Sequence, residues 1–293
     1  MRDDDTVAIV TGANRGLGRE TALGLAKLGY TVVLACRNIG EADRAATEIS
    51  SAAHNPRVIA MRLDVGSCAS IFAFVREFQA RFGRVNILVN NAGVSKNTDE
   101  KTADGFEINV GTNYLGTYAL TMSLLPLFRG GPRDRIVSLT SNIYKMGRFR
   151  IDRIGSYRWV KAYAASKYMI LLFTLWLSGR EEARGIRVNA VHPGIVRTSI
   201  MYTNRWYDAI IKAILLPFFI DAAQGAKGII ELASSEQVEN GRLYSKGRIV
   251  KIPKRFGGAK AQEELMKFSA EYLAGFEGDH GATRRGQNTN AIV

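Results

Sequence analysis

The chain has 293 residues, 46% of them hydrophobic and 23% charged, which excludes wholesale disorder and leaves apolar material for one sizeable core. At about 150 residues per domain the length fits two domains or one large α/β domain, and the longest apolar run, the eight residues Ala213 to Ile220 with a proline inside, is too short to span a bilayer. Two cysteines, three histidines and no CxxC or HExxH spacing give a disulfide framework or a metal site no support, while the net charge of +13 leaves nucleic acid, an anionic membrane surface or an acidic ligand to be separated by where the charge lies.

Met1-Arg2-Asp3-Asp4-Asp5 carries three acids and runs straight into an apolar segment, the wrong pattern for a leader, so cytoplasmic residence is expected. Apolar, β-branched runs then recur at Thr6–Thr11, Thr31–Cys36, Val58–Leu63, Val85–Asn90, Arg135–Thr140 and Ile186–Val191. Segments of helical length separate them: Gly16–Leu28, Glu41–Ala52, Cys68–Phe82, one long helix over Thr102–Phe128, and another over Ala162–Ala183. Such alternation predicts a doubly wound α/β fold with a parallel sheet covered on both faces. Met169 to Leu177 is apolar around the whole helix circumference, so its outer side needs a cover, either a second subunit in a homodimer or the chain's own C-terminal extension. A helix over Ala222–Ser234, a last strand at Arg242–Tyr244 and an amphipathic segment Ala261–Leu273 follow, and Glu277–Asn290 is expected to fray. The expected organisation is a single domain over 1–245, with a substrate lid at about 199–220, and an extension over 246–293.

Thr11-Gly12-Ala13-Asn14-Arg15-Gly16-Leu17-Gly18 closes the first strand and opens the first helix. Glycines there let a pyrophosphate sit against backbone N–H groups at the positive end of the helix dipole. The spacing is G-x-x-x-G-x-G and not G-x-G-x-x-G, so its context carries the reading. An NAD site places a carboxylate after the second strand to accept from the ribose hydroxyl; here Arg37-Asn38 occupies that place. A guanidinium suits a 2′-phosphate, with Arg15 approaching from the other side, and NADP(H) is the expected cofactor.

Tyr163-Ala164-Ala165-Ser166-Lys167 puts a phenol and an ammonium on one helix face, where the cation is expected to favour phenolate and let Tyr163 exchange a proton with substrate. Tyr157 and Lys161 repeat the spacing just upstream, but Arg158-Trp159-Val160 between them would crowd a cofactor that the small residues after Tyr163 admit.

Taken together, Thr11-Gly12-x-x-x-Gly16-x-Gly18, Asn90-Asn91-Ala92-Gly93, Ser141, Tyr163-x-x-x-Lys167 and His192-Pro193-Gly194 resemble the short-chain dehydrogenase/reductase family, with a Rossmann-type sheet, over about Thr6 to Tyr244. Ala35-Cys36-Arg37-Asn38, Thr102 to Glu107, Asn113-Tyr114-Leu115-Gly116 and His192 to Thr198 are most similar to its retinol-dehydrogenase-like branch. The resemblance implies that Ser141 donates to the substrate oxygen, with Ser138 and Thr140 as neighbouring alternatives, and that Asn113 holds a water linking Lys167 to solvent. It further implies that Asn14, Arg15, Leu17 and the glycines Gly12, Gly16 and Gly18 cradle the cofactor with Arg37 and Asn38, and that Asp64 and Val65 line the adenine. Asn91, Ala92 and Gly93 would support its ribose, and Pro193, Val196 and Thr198 would contact the nicotinamide. His192 reads as a structural loop residue.

Between Ser141 and Lys167 lie seven basic residues (Lys145, Arg148, Arg150, Arg153, Arg158, Lys161, Lys167) and one acid, Asp152, which could steer an acidic substrate or NADPH or form a solvated rim. Met201, Tyr202, Trp206, Tyr207, Ile210 and Ile211 fall where the family builds its lid and argue for a hydrophobic alcohol or carbonyl, although peripheral membrane contact reads the same residues as well. The expected activity is reversible carbonyl reduction by an NADP(H)-dependent oxidoreductase. The rivals are an idle NADP(H)-binding regulatory protein and, without any recognisable motif for it, a nucleic-acid binder.

Overall fold

The computed structural model describes residues 6–149, 159–196, 219–256 and 258–285. Parallel strands β1 (Val7–Thr11), β2 (Thr31–Cys36), β3 (Val58–Arg62), β4 (Ile87–Asn90), β5 (Arg135–Leu139) and β6 (Arg187–His192) fall within a residue or two of the apolar runs that predict them. A short strand pair, β7 (Ile195–Val196) and β8 (Phe219–Ile220), stands apart from the main sheet. The main sheet has eight strands in the order β10-β9-β6-β5-β4-β1-β2-β3, with β9 (Leu243–Ser245) parallel to β6 and β10 (Arg248–Val250) antiparallel to β9. The order reverses between β1 and β4, so the loops leaving the C-terminal ends of those two strands share the crevice in which open α/β sheets bind ligands.

Side chains alternate across the pleat, and the two faces make two cores. One face packs under α1 (Gly16–Lys27), α2 (Ile39–Ala53) and α7 (Ala222–Ser234), with Ile9's neighbours Ala8 and Val10 pointing into it beside Leu25, Ile49 and Ile229. The other packs under α3 (Cys68–Phe82), α5 (Gly116–Leu124), α6 (Trp159–Leu177) and α8 (Ala259–Arg285), with Ile9, Val33 and Ile136 facing Phe74, Leu120 and Leu171.

The apolar circumference of α6 is covered by the chain's own extension: Leu265, Met266 and Tyr272 of α8 are buried in the same core as Met169, Ile170 and Phe173. Polar contacts fix the seat. Ser269 and Tyr114 share a hydroxyl hydrogen bond at 2.6 Å, and the Tyr272 hydroxyl donates to Asp104 at 2.8 Å while accepting from the Cys68 thiol at 3.1 Å. Among the described residues no helix is long and apolar enough to cross a membrane.

Four expectations are corrected. The helix predicted over Thr102–Phe128 begins only at Ile108, because Gly105 takes φ of +85° and Thr102 and Phe106 close a turn through Thr102 N to Phe106 O at 2.8 Å. The segment then runs as α4 (Ile108–Val110), a wide π turn (Gly111–Leu115) closed by Gly116 N to Gly111 O, and α5. The helix predicted over Ala162–Ala183 starts earlier and stops at Leu177, where Ser178-Gly179 ends it, and Glu181–Ala183 is a separate 3-10 turn. Of the segment Glu277–Asn290 predicted to fray, residues 277–285 continue α8, and 286–290 lie outside the described residues. The β9–β10 hairpin was expected only as a single strand. Residues 199–218 of the predicted lid, with Met201, Tyr202, Trp206, Tyr207, Ile210 and Ile211, lie outside the described residues, as do Thr198, Arg150, Asp152, Arg153, Tyr157 and Arg158.

Candidate active site

The phosphate end is built by the β1–α1 turn. Gly12 takes φ of +64° and Gly16 φ of +55°, both left-handed, and a Cβ on Gly18 would run into Gly12 O and the Asn91 carboxamide. Arg15 occupies the N-cap of α1 without a side-chain cap bond, so the first-turn amides stay available to an anion. A Cβ on Gly16 would meet nothing within 4 Å, which marks open space over those amides. Leu17 is buried, so it can offer only its backbone. Arg15, Arg37 and Asn38 are exposed beside the turn. These features suit the pyrophosphate of a dinucleotide.

The turn is pinned from both sides. Asn91 Nδ2 donates to Thr11 O at 2.7 Å and to Gly12 O at 3.2 Å, and the Thr11 hydroxyl accepts from Asn91 N and Ala92 N at 3.0 and 2.9 Å. Asn91 therefore spends its carboxamide N–H groups on the turn and not on a ribose. Asn14 is likewise engaged, donating to Glu41 at 2.6 Å, and Asn38 caps α2 by accepting from Glu41 N at 3.3 Å. Glu41 escaped the sequence reading, although its place three residues after Asn38 is a capping pattern. Below the turn the Cys36 thiol is buried, which pushes its pKa up, while the N–H groups of Ala13, Asn14 and Gly12 pull the other way. On the opposite rim Glu100 is held below the usual carboxylate range by Lys96 and Thr98, with the more distant Arg37 charge contributing. Asp64 Oδ1 accepts from Gly66 N at 2.9 Å, and Val65 is buried beside it.

The reacting end gathers β4, β5, the π turn and α6. Three hydroxyls compete at the end of β5. Ser138 is buried and accepts from Asn90 Nδ2 at 3.2 Å; Thr140 is buried and donates to Lys167 O at 2.8 Å. Ser141 is half-buried and close enough to the Tyr163 side chain to pull the phenol's pKa down. Lys167 is 5% exposed, and its Nζ donates to Leu139 O at 3.0 Å and lies 5.7 Å from the Tyr163 ring centroid. Lys161, of the alternative pair, is exposed on the same helix. A Cβ on Gly93 would lie 3.1 Å from Asn113 Oδ1 and 3.5 Å from Lys167 Nζ, so Gly93, Asn113 and Lys167 meet at one point.

Burial pushes the Tyr163 phenol up from its ordinary value, and Ser141 opposes it. The ammonium lies over the ring face and is spent on Leu139 O, while burial pulls its own pKa down to about 8. Asn113, the residue expected to hold a water, is mostly engaged by protein groups. Its Nδ2 donates to Val94 O at 2.8 Å and Ser166 Oγ at 3.0 Å, and its Oδ1 accepts from Val94 N at 2.7 Å, which leaves one Oδ1 lone pair. Ser166, one turn after Tyr163 and bonded to its carbonyl at 2.8 Å, is a supporting residue the sequence reading passed over.

His192 is buried at the end of β6; burial, then the Lys145 and Lys246 charges, lower its pKa to about 4. Pro193 is half-buried after it, and the side chain of Val196 lies outside the described residues.

This geometry coincides with a family match. The model of the short chain dehydrogenases fits residues 6–207. The chain belongs to the short-chain dehydrogenase family. It is an oxidoreductase of the retinol-dehydrogenase-like kind, and the family uses NAD(P)(H). This short-chain dehydrogenase is 36% identical to retinol dehydrogenase 12 of Mus musculus over 272 residues, covering 91% of this chain and 86% of that one. It is 37% identical to retinol dehydrogenase 13 of Mus musculus over 288 residues, covering 95% and 86%. Among solved structures, an uncharacterized protein from Mycobacterium paratuberculosis superposes with a TM-score of 0.74 at 30% identity, covering 92% of this chain and 93% of that one. A short-chain dehydrogenase from Burkholderia cenocepacia in complex with NADP superposes with a TM-score of 0.68 at 25% identity, covering 84% and 97%.

Proposed function

We propose that the protein is an NADP(H)-dependent oxidoreductase that interconverts a hydrophobic aldehyde or ketone and the matching alcohol. The observation that carries this reading is that half-buried Ser141 after β5 and Tyr163 on α6 stand together beside buried Lys167, whose Nζ lies 5.7 Å from the Tyr163 ring centroid. When bound, the dinucleotide supplies or accepts the hydride at its nicotinamide ring. The first-turn amides of α1 would hold its pyrophosphate, and Arg15 and Arg37 would meet a 2′-phosphate that no carboxylate at position 37 or 38 would repel. Asp64 and Val65 would border the adenine, and Pro193 the nicotinamide.

At the reacting end Ser141 donates to the substrate oxygen, and Tyr163 places a proton on that oxygen in reduction and removes it in oxidation. Burial keeps Tyr163 a protonated phenol at neutral pH, the form that reduction needs. Lys167, brought down to about 8, is within reach of changing charge as the proton moves, and Asn113 and Ser166 hold the helix face it stands on. The retinol dehydrogenases among its relatives favour a retinoid-like, elongated apolar substrate.

The test is NADPH oxidation against a panel of hydrophobic aldehydes and ketones that includes nonanal and all-trans-retinal, run on the wild type and Tyr163→Phe. Tyr163→Phe is expected to lose about 10²- to 10⁴-fold in turnover while binding NADPH as the wild type does. Wild-type turnover by that variant sinks the assignment, and tight NADPH binding with no consumption across the panel turns the reading toward an idle cofactor-binding protein.

A further inference from the structure

Ser141 and Tyr163 belong to different elements, so something must fix the distance between their hydroxyls. The 3-10 turn Asn142–Met146 is tied to Ser141 by its own backbone: Tyr144 N donates to Ser141 O at 2.9 Å, and Gly147 N to Tyr144 O at 2.9 Å. Gly147 lies directly on α6, where a Cβ would collide with Ala164 O and crowd Tyr168 Cβ. Tyr144 is fully buried and its hydroxyl has no hydrogen-bond partner among the described residues, so its ring packing holds the turn down.

That packing comes from the C-terminal extension, beyond the residues the family model matches. The Phe256 ring stands edge-on to Tyr144, with centroids 5.4 Å apart at 81°, and edge-on to Tyr168, 5.7 Å apart at 75°. Tyr168 adjoins Lys167 on α6, and Phe256 itself is 6% exposed in a short turn in which its N–H donates to Pro253 O at 2.9 Å. One ring thus touches both the turn that carries Ser141 and the helix that carries Tyr163 and Lys167.

We infer that Phe256 is a positioning residue that wedges between Tyr144 and Tyr168 and sets the Ser141–Tyr163 separation. The inference rests on the Ser141–Tyr163–Lys167 reading above. Removing the ring leaves a void beside both tyrosines, and Ser141 follows Tyr144 through the backbone bond between them. A misplacement of about 1 Å costs on the order of 100-fold in rate. Ser141 opposes the burial that raises Tyr163, so moving Ser141 away takes the phenol still higher.

The test uses the full chain with Phe256→Ala, Phe256→Leu and Phe256→Tyr, and Phe268→Ala as an aromatic truncation elsewhere in the extension. For nonanal, nonanol, all-trans-retinal and all-trans-retinol as probes, kcat, KM, NADPH affinity, thermal midpoint and the pH profile of alcohol oxidation are measured. Phe256→Ala is expected to lower kcat about 10- to 100-fold with KM and NADPH affinity within threefold, and to move the alkaline-favoured limb of oxidation to higher pH. Phe256→Leu should lie between, Phe256→Tyr should restore most of kcat, and Phe268→Ala should lower the thermal midpoint without moving kcat. Wild-type kcat in folded Phe256→Ala overturns the inference, as does a loss of kcat that tracks the unfolded fraction with the pH limb unmoved. If Phe256→Ala does not fold, Phe256→Leu decides by the same readings. Turnover surviving in Tyr163→Phe overturns the underlying mechanism separately, whatever the Phe256 variants do.

Discussion

Asn113 and Val94 grip each other twice: the carboxamide oxygen accepts from Val94 N at 2.7 Å, and its nitrogen donates to Val94 O at 2.8 Å. This pair joins the π turn to the loop that leaves β4. Asn113→Ala strips a half-buried N–H and C=O of partners at once and frees buried Ser166, so it should destabilise the protein by about 1–3 kcal/mol in urea unfolding. Asn113→Asp keeps one acceptor but sets a carboxylate against Val94 O, and should be no better than the alanine variant.

Lys167 illustrates a charge held against its folding preference. Its pKa falls from 10.5 to about 8 on burial, so between those values the unfolded chain binds the proton and the folded one does not. Stability contributed by this depression is complete above pH 10.5 and lost as pH falls through 8. Lys167→Met should therefore raise apo stability at pH 7 by about 2–3 kcal/mol while removing turnover, with the stability gain vanishing toward pH 10.5. Equal stability of the two proteins at pH 7 contradicts the shift.

His192 gives the same sign in the acid range. Buried among charges from Lys145 and Lys246, it stays neutral down to about 4, whereas the unfolded chain takes its proton near 6.5. As pH falls through that window, folding should lose about 3 kcal/mol from this group alone. His192→Gln cannot titrate, and its unfolding free energy should fall less steeply between pH 6.5 and 4.

Arg37 is the cofactor discriminator under the proposed function. Arg37→Ala should weaken NADPH binding about 10- to 100-fold and leave NADH binding within a few-fold, measured by nicotinamide fluorescence. Equal losses for both cofactors would place the guanidinium away from a 2′-phosphate.

The strands were legible because a sheet buried on both faces writes continuous apolar runs, and Thr31–Cys36 is matched residue for residue. Cys68–Phe82 was equally plain, with Ser67 capping its start and Gly83 at φ of +67° closing it. What was hidden has physical reasons too. Thr102 to Phe128 is helical in composition, and only the Asp104-Gly105 turn and the Glu107 cap, whose carboxylate accepts from Asn109 N and Val110 N, mark the true start. The spacing of Tyr163 and Lys167 showed a shared face but not that the ammonium would turn to Leu139 O, a partner 28 residues away in the chain. Phe256 carries no local signal at all, since its importance comes from two rings distant in sequence.

The seat of α8 on α6 has a consequence for biosynthesis. The Cys68 thiol waits for a tyrosine 204 positions later, and Met169 to Phe173 wait about a hundred residues for Leu265 and Tyr272. At 5–20 residues per second a ribosome leaves that greasy face bare for roughly 5–20 s, long enough to recruit a chaperone or to clump with other nascent copies. Messages that stop short of the final helix should therefore yield insoluble product even though every strand of the sheet has been made.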